Sequence, residues 1–423
     1  MAIMGACVAM AKRDVSIRTI AGEQENDTRK ILARARRQAD ERGYDDFPIV
    51  DVDAHHYEND SWAELTEYID DPIVRQLSEA SIAKGSGRGT TLIPSQVGNQ
   101  DVGGRIQRYG LRHREEGDPG VHREVSLVRK SMEMMGIDYT ILFPTPMLNL
   151  GLHPQPEVEA AIARGYARWM TERVLTEDPR IKTMLYVPFN TPEASISLLE
   201  EFADAPGVIG FMVTSVRYKP VHDNAYIPMY TLLEEKGMPL AFHGAHNWYE
   251  RSMVQLNRFI SAHALGFPLY NMIHLMNLII NGIPERFPGL KILWMEGGLA
   301  WIPFIMQRLD SEYMMRTSEA PLLTKKPSDY MRDMYYSSQP IEIPAKVEFM
   351  QTTFDMIDAE NRLLYSSDYP HWDFDLPSVI YDLPFLGEEE KRKILGGNAI
   401  ELFNLEYPVP GVPAKAEVGA RER

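Results

Sequence analysis

Eight short apolar or β-branched runs recur along this chain in alternation with segments of helical pattern, and no other feature narrows the possible folds as far. The runs are Ile49 to Asp53, Tyr139 to Phe143, Thr183 to Val187, Val208 to Val213, Leu240 to His243, Lys291 to Met295, Met334 to Ser337 and Leu363 to Ser367. Helical pattern fills Glu157 to Thr176, Pro192 to Phe202, Ile227 to Lys236, Gly266 to Phe287, Trp301 to Met315 and Ala345 to Ile357. Continuously apolar strands separated by helices read as parallel strands buried on both faces. Eight such units predict an α/β protein with a (β/α)8 TIM barrel.

Composition limits what surrounds that barrel. With 423 residues, 44% of them apolar, the chain can bury a large core. The barrel is expected over residues 47–406, preceded by an N-terminal arm and helix (1–46) and followed by a flexible tail (407–423) rich in Pro, Gly, Ala and charge. The basic residues of the helix between Asp27 and Arg42 read as a solvated face. A formal charge of -16 opposes nucleic acid or an anionic membrane as partner. The single cysteine, Cys7, excludes an internal disulfide and a thiolate metal cluster, which fits a reducing compartment. The opening "MAIMGACVAMAKR" has no basic residue before its apolar run and reads as a loose arm rather than a signal peptide. No apolar run reaches the length of about 18 residues needed to span a bilayer, so a cytoplasmic protein is expected.

A barrel of this kind gathers its chemistry at the C-terminal ends of its strands, where the loops meet around one mouth. Four strands end in ionisable residues. The first, in "FPIVDVDAHHYEND", ends in Asp53-Ala54-His55, and strand alternation aims Asp53 and His55 the same way while His56 falls out of phase. Asp51 reads as support, and Glu58 and Asp60 as the start of the next loop. The fifth strand ends in His243, with Gly244 leaving room for close approach; the sixth ends in Glu296 before two glycines; the eighth leads to Asp368, with His371 just beyond. A lone histidine at a strand end is more often structural, but imidazoles and carboxylates on four strand ends of one rim are a ligand set for Zn²⁺, Mn²⁺ or Fe²⁺. Asp53, His55, His243, Glu296 and Asp368 are therefore the candidate metal ligands. Asp368, Glu296, His274 and His371 are the candidate catalytic groups.

The stretch from Ser61 to Met135 (residues 61–135) is long enough to form a lid over the mouth. Its glycines lack the strand-then-helix setting of a phosphate loop, which excludes a nucleotide site. Arg105 and Arg108, with Arg112 and Arg114, offer guanidinium clamps for a substrate carboxylate, although a solvated helix face explains any one of them. Trp62 and Trp248 can wall a ring or unsaturated chain, and His246 is a further candidate for substrate contact.

The motifs "DVDAHHYE", "PLAFHG", "ERFPGLKILWMEGGLAWIPFIMQRLD", "LLYSSDYPHWD" and "ILGGNAIELFNL" together resemble the amidohydrolase-related family that includes aminocarboxymuconate-semialdehyde decarboxylase, from about Pro48 to Leu405. The resemblance implies a metal-dependent barrel whose members decarboxylate, hydrolyse or hydrate small carboxylated compounds, and homodimers are common among them. Matched motif by motif, it places the first-strand metal pair on Asp53 and His55, the metal histidine on His243, and on Asp368 an aspartate that touches the metal and moves protons. This chain departs from the pattern in having Asp-x-His at the first strand and Glu296 where many of the decarboxylases carry histidine. An ionised glutamate only accepts hydrogen bonds, so the resemblance leads first to hydrolysis of a C–N or C–C bond by metal-activated water. Non-oxidative decarboxylation of a muconate-like or aromatic carboxylate in aromatic catabolism is the close alternative. A dinuclear iron or manganese oxygenase is the third reading. One divalent ion is expected, Zn²⁺ ahead of Mn²⁺ or Fe²⁺, with room for a second.

Overall fold

Eight parallel strands follow one another in chain order around a barrel in the computed structural model, which describes residues 27–83, 117–245 and 251–412. They are β1 (Val50–His56), β2 (Tyr139–Pro144), β3 (Ile181–Tyr186), β4 (Val208–Val213), β5 (Leu240–His243), β6 (Ile292–Met295), β7 (Tyr335–Ser337) and β8 (Leu363–Leu364). Each of the eight predicted strands is present.

The two strands that carry most of the candidate chemistry differ from expectation at their ends. β1 runs past Asp53 to His56 and all seven of its residues are buried, so Asp53 and His55 sit within a paired strand rather than at its tip. Its register against β2 shifts between Asp51 and Ala54. β8 is only two residues long because the chain beyond it bonds to β1 instead of extending the ladder. Val52 N–H donates to the Tyr365 carbonyl at 3.0 Å, Asp368 N–H to the Asp53 carbonyl at 2.7 Å, and His55 N–H to the Tyr369 carbonyl at 2.7 Å. Asp51 fastens the same seam, its carboxylate accepting from Ser367 N–H at 2.8 Å and from the Ser367 hydroxyl at 2.5 Å. The supporting role expected of Asp51 thus has a definite form: it closes the barrel directly beneath the candidate ligands.

Helices Pro192–Phe202, Ile227–Lys236 and Trp301–Met315 coincide with the predicted spans. The predicted Gly266–Phe287 segment is instead a helix over Phe259–Ile280 and a separate turn of helix at Ile283–Arg286. Gly282, at φ 71°, supplies the left-handed residue that parts them. The N-terminal helix Thr28–Arg42 is capped by Asp27 and packs Ile31, Leu32, Ala35 and Ala39 inward. Arg29, Lys30, Arg34 and Arg37 face solvent, as the charge pattern indicates. Within the stretch read as a lid, the described part forms helices Trp62–Thr66, Pro72–Ser81 and Arg123–Met135. Trp62 is fully buried there and its indole N–H donates to Ser78 Oγ at 2.7 Å, so it is a packing residue and not a substrate wall. Arg105, Arg108, Arg112, Arg114, His246 and Trp248 lie outside the described residues.

A buried polar knot ties β3 to the helix Pro156–Trp169. The Glu159 carboxylate accepts from the Tyr186 hydroxyl and from Asn190 Nδ2, both at 2.8 Å. Burial outweighs these bonds and pushes its pKa up to about 7. A carboxyl raised on folding contributes stability that is present below its unfolded pKa and lost as pH rises through the folded value. Between pH 5 and 8, Glu159→Gln should therefore flatten the decline of unfolding free energy by about 1–3 kcal/mol, measured by urea titration at both pH values.

Candidate metal centre

Asp53 and His55 leave β1 on the same side because they are two residues apart. Between and beyond them, Ala54 and His56 point the other way. His56 stacks on Tyr166 and Trp169 and its Nε2 lies 2.9 Å from the Tyr166 hydroxyl, which removes it from the site as the alternation predicts. Across the barrel, His243 closes β5. Phe242, facing the opposite way, stacks on Trp294.

Glu296 and Asp368 arrive by a different route. Both adopt left-handed backbone conformations, φ 49° and 61°, which cost a non-glycine residue of the order of 1 kcal/mol. Surrounding bonds impose the geometry: Glu296 N–H donates to Ser337 Oγ at 3.0 Å, and Asp368 N–H to the Asp53 carbonyl. After Glu296, Gly298 at φ 68° has no room for a Cβ, which would meet the Glu342 carboxylate at 2.3 Å. That carboxylate accepts from Leu299 N–H at 2.8 Å, at the entry to the helix Trp301–Met315. The space expected beside Gly244 is filled from within the protein, since a Cβ there would meet Phe267 at 2.7 Å and the Glu296 carbonyl at 2.8 Å.

All five side chains are buried; Asp53, His55, His243 and Glu296 form one grouping, and Asp368 adjoins it through His55 and Glu296. His243 Nε2 lies 3.2 Å from Asp53 Oδ1, 3.3 Å from His55 Nε2 and 3.5 Å from Glu296 Oε2. His55 Nε2 lies 3.2 Å from Asp53 Oδ1, 3.4 Å from Asp368 Oδ1 and 3.9 Å from Glu296 Oε2. Each imidazole uses its other nitrogen on a backbone carbonyl, His243 Nδ1 on Gly244 at 2.7 Å and His55 Nδ1 on Pro144 at 3.3 Å. A neutral ring that donates through Nδ1 presents a lone pair at Nε2. Two imidazoles and three carboxyl groups thus face one another, and Asp53 Oδ2, Glu296 Oε2 and Asp368 Oδ2 have no hydrogen-bond partner among the described residues. A divalent cation is the group this donor set fits.

The electrostatics agree. Burial and the negative charge of Asp53 hold Glu296 far above the usual carboxylate range, and burial with the charges of Glu296, Asp373 and Asp53 does the same to Asp368. Burial would also raise Asp53, but His243 and His55 outweigh it and hold that carboxyl low. Burial lowers His55, against the opposing pull of Asp53. Three carboxylates packed this closely ionise together only around a cation.

Of the other sequence candidates, His371 is brought to the cluster and His274 is not. His371 Nδ1 lies 2.6 Å from Asp368 Oδ1, and its ring stacks on His55 with centroids 4.3 Å apart. His274 packs against Phe242 and Tyr270, on the side of β5 opposite His243. Burial pushes its pKa down to about 4, against the opposing effect of a hydrogen bond with the Thr214 backbone just beyond β4. Two residues that the sequence reading gave no role in the site lie behind His371. Thr145 Oγ1 lies 3.1 Å from His371 Nε2, and Glu58, read as the start of a loop, is completely buried and accepts backbone N–H bonds from Thr145 and Met147.

Comparison with known proteins adds the following. The chain is 22% identical over 275 residues to a 2-amino-3-carboxymuconate-6-semialdehyde decarboxylase of Dictyostelium discoideum, covering 64% of this chain and 74% of that one. It is 24% identical over 263 residues to a gamma-resorcylate decarboxylase of Polaromonas, covering 57% and 76%. A crystal structure of a 5-carboxyvanillate decarboxylase from Novosphingobium aromaticivorans, with bound manganese and 3-methoxy-4-hydroxy-5-nitrobenzoic acid, has the same fold at a TM-score of 0.58 and 19% identity, covering 86% of this chain and 99% of that one. The model of the family described as Amidohydrolase matches residues 46–405, nearly the whole barrel, and the chain belongs to that amidohydrolase family.

Proposed function

We propose that this enzyme is a non-oxidative decarboxylase of a small aromatic or muconate-like carboxylate, with Asp53, His55, His243, Glu296 and Asp368 holding one divalent ion. The observation that carries this reading is the Asp368–His371 pair. Asp368 is 1% exposed and touches the ligand cluster, while His371, 2.6 Å away, keeps 13% of its side chain exposed. Together they form a proton donor inside a dry site with a path for refilling from outside. Decarboxylation needs that arrangement: one proton is delivered to the carbon bearing the carboxylate, the C–C bond breaks, its electron pair stays with the substrate and carbon dioxide departs.

When bound, the ion supplies a Lewis-acid anchor for the substrate's carboxylate and a neighbouring oxygen. The protein's residues do the rest. Glu296 accepts hydrogen bonds only and completes the anionic side of the site, so the missing sixth-strand histidine is no obstacle once the proton comes from Asp368. Hydrolysis, the first reading from sequence, gives way to its alternative because the related proteins named above are decarboxylases and because the pair nearest the cluster is arranged to donate. The two donor groupings, Asp53–His55–His243–Glu296 and His55–Glu296–Asp368–His371, share both His55 and Glu296, which supports one site for one ion over the separate sites of a dinuclear oxygenase.

The test is a panel of 2,6-dihydroxybenzoate, 5-carboxyvanillate and aminocarboxymuconate semialdehyde offered to the manganese- or zinc-loaded protein. Stoichiometric release of carbon dioxide from at least one of them is expected. Release of an acid or amine from carboxylates and amides, with no carbon dioxide, would restore the hydrolase reading. Elemental analysis should give one ion per chain, and two per chain would revive the dinuclear alternative.

A further inference from the structure

Beyond the ligand cluster, a chain of buried polar contacts runs from Glu58 to Asp368 across three elements. Glu58 lies in a short turn of helix, Glu58–Ser61, directly after β1. Its carboxylate spans the two N–H groups on either side of Pro146, where the chain enters the short 3-10 helix Pro146–Leu152, accepting from Met147 N–H at 2.7 Å through Oε1 and from Thr145 N–H at 3.0 Å through Oε2. Thr145 Oγ1 in turn meets His371 Nε2 at 3.1 Å, and His371 Nδ1 meets Asp368 Oδ1 at 2.6 Å. The ring itself is sandwiched, stacked on His55 on one side and met edge-on by Tyr57 at 5.9 Å.

A carboxylate buried without a cation is costly, and an aliphatic residue would fill the position of Glu58 more cheaply if only packing were required. What the carboxylate does there is fix one loop conformation, the one that aims the Thr145 hydroxyl at His371. We infer that Glu58 and Thr145 are positioning residues for the proton donor: Glu58 fixes the 145–147 loop, and the Thr145 O–H donates to His371 Nε2, holding the ring in the tautomer whose Nδ1–H points at Asp368. A ring in the other tautomer would present a lone pair to Asp368 and could not return a proton to it. The logic is that of any oriented base, in which a third group selects the tautomer and the rotamer. For its activity readout the inference rests on the decarboxylase reading. Its tautomer readout does not.

The experiment compares Thr145→Val, Thr145→Ser and Glu58→Gln in the full-length chain. In zinc-loaded protein labelled with ¹⁵N-histidine, where the ion keeps Asp368 ionised, long-range ¹H–¹⁵N spectra, with His371 assigned by its loss in His371→Asn, should show a single Nδ1–H tautomer in the wild type and Thr145→Ser. Thr145→Val and Glu58→Gln should show a mixture. With manganese bound, kcat for the panel substrate should fall about 10-fold in Thr145→Val, with KM and manganese content unchanged, and recover in Thr145→Ser. A Thr145→Val protein with the wild-type tautomer and wild-type kcat overturns the inference, as does a Thr145→Ser protein that loses as much as Thr145→Val. If the tautomers shift as expected but no carboxylate yields carbon dioxide, the positioning role stands and the decarboxylase reading falls.

Discussion

His243→Ala is expected to lower bound divalent metal at least 10-fold and turnover by more than about 10³-fold, while the protein remains folded. His243 Nε2 is in contact range of Asp53, His55 and Glu296, so its loss removes a neutral donor from the middle of the set. What remains in that grouping is one imidazole and two carboxylates. Elemental analysis of the purified variant after dialysis against a fixed manganese concentration measures the effect. Full occupancy in this variant would mean that the ligand set is drawn wrongly. The fold should survive because the alanine keeps the β5 backbone bonds, including those to β6.

Asp368→Asn should separate metal binding from proton delivery. Asparagine tolerates the left-handed conformation that Asp368 adopts at φ 61°, so the backbone bonds that close the barrel are retained. The amide can still offer an oxygen to the ion, but it cannot carry a proton to carbon. The expectation is retained metal at somewhat weaker affinity, little change in KM, and a kcat lowered by about 10³–10⁴-fold. A variant keeping more than a tenth of wild-type kcat would show that the proton comes from another group, with His371 then the first candidate by proximity.

These expectations divide along the same line as what the sequence could and could not reveal. Apolar runs and their spacing were enough for the barrel because each strand is buried on both faces, and burial on that scale dominates the choice of fold. The alternation of Asp53, His55 and His56 was legible for a similar reason: a strand imposes a period of two whatever its surroundings. Glu296 and Asp368 were found as ionisable residues after strands, yet nothing in the sequence discloses their left-handed backbone, which depends on bonds from Ser337 and Asp53 in other elements. Trp62 and His274 mark a limit of the sequence, because an aromatic or imidazole near a ligand motif looks the same whether it faces the mouth or the packing between strand and helix. Thr145 carried no signal in "FPTPM", and Glu58 carried one that pointed to solvent. Their roles exist only once β1, β2 and the segment after β8 meet.

No helix among the described residues is long and apolar enough to cross a membrane, in keeping with the charge and hydropathy of the chain. The buried donor set lies at the C-terminal ends of the barrel strands in a chain of the amidohydrolase family. The most direct test of the reaction assigned to it is the mass of the product formed in D₂O by the metal-loaded enzyme from a carboxylate that it consumes. The account predicts a product that has lost carbon dioxide and gained one deuterium on the carbon that bore it, with no such product from Asp368→Asn. A product that keeps its carboxylate and has taken up oxygen from water would contradict it.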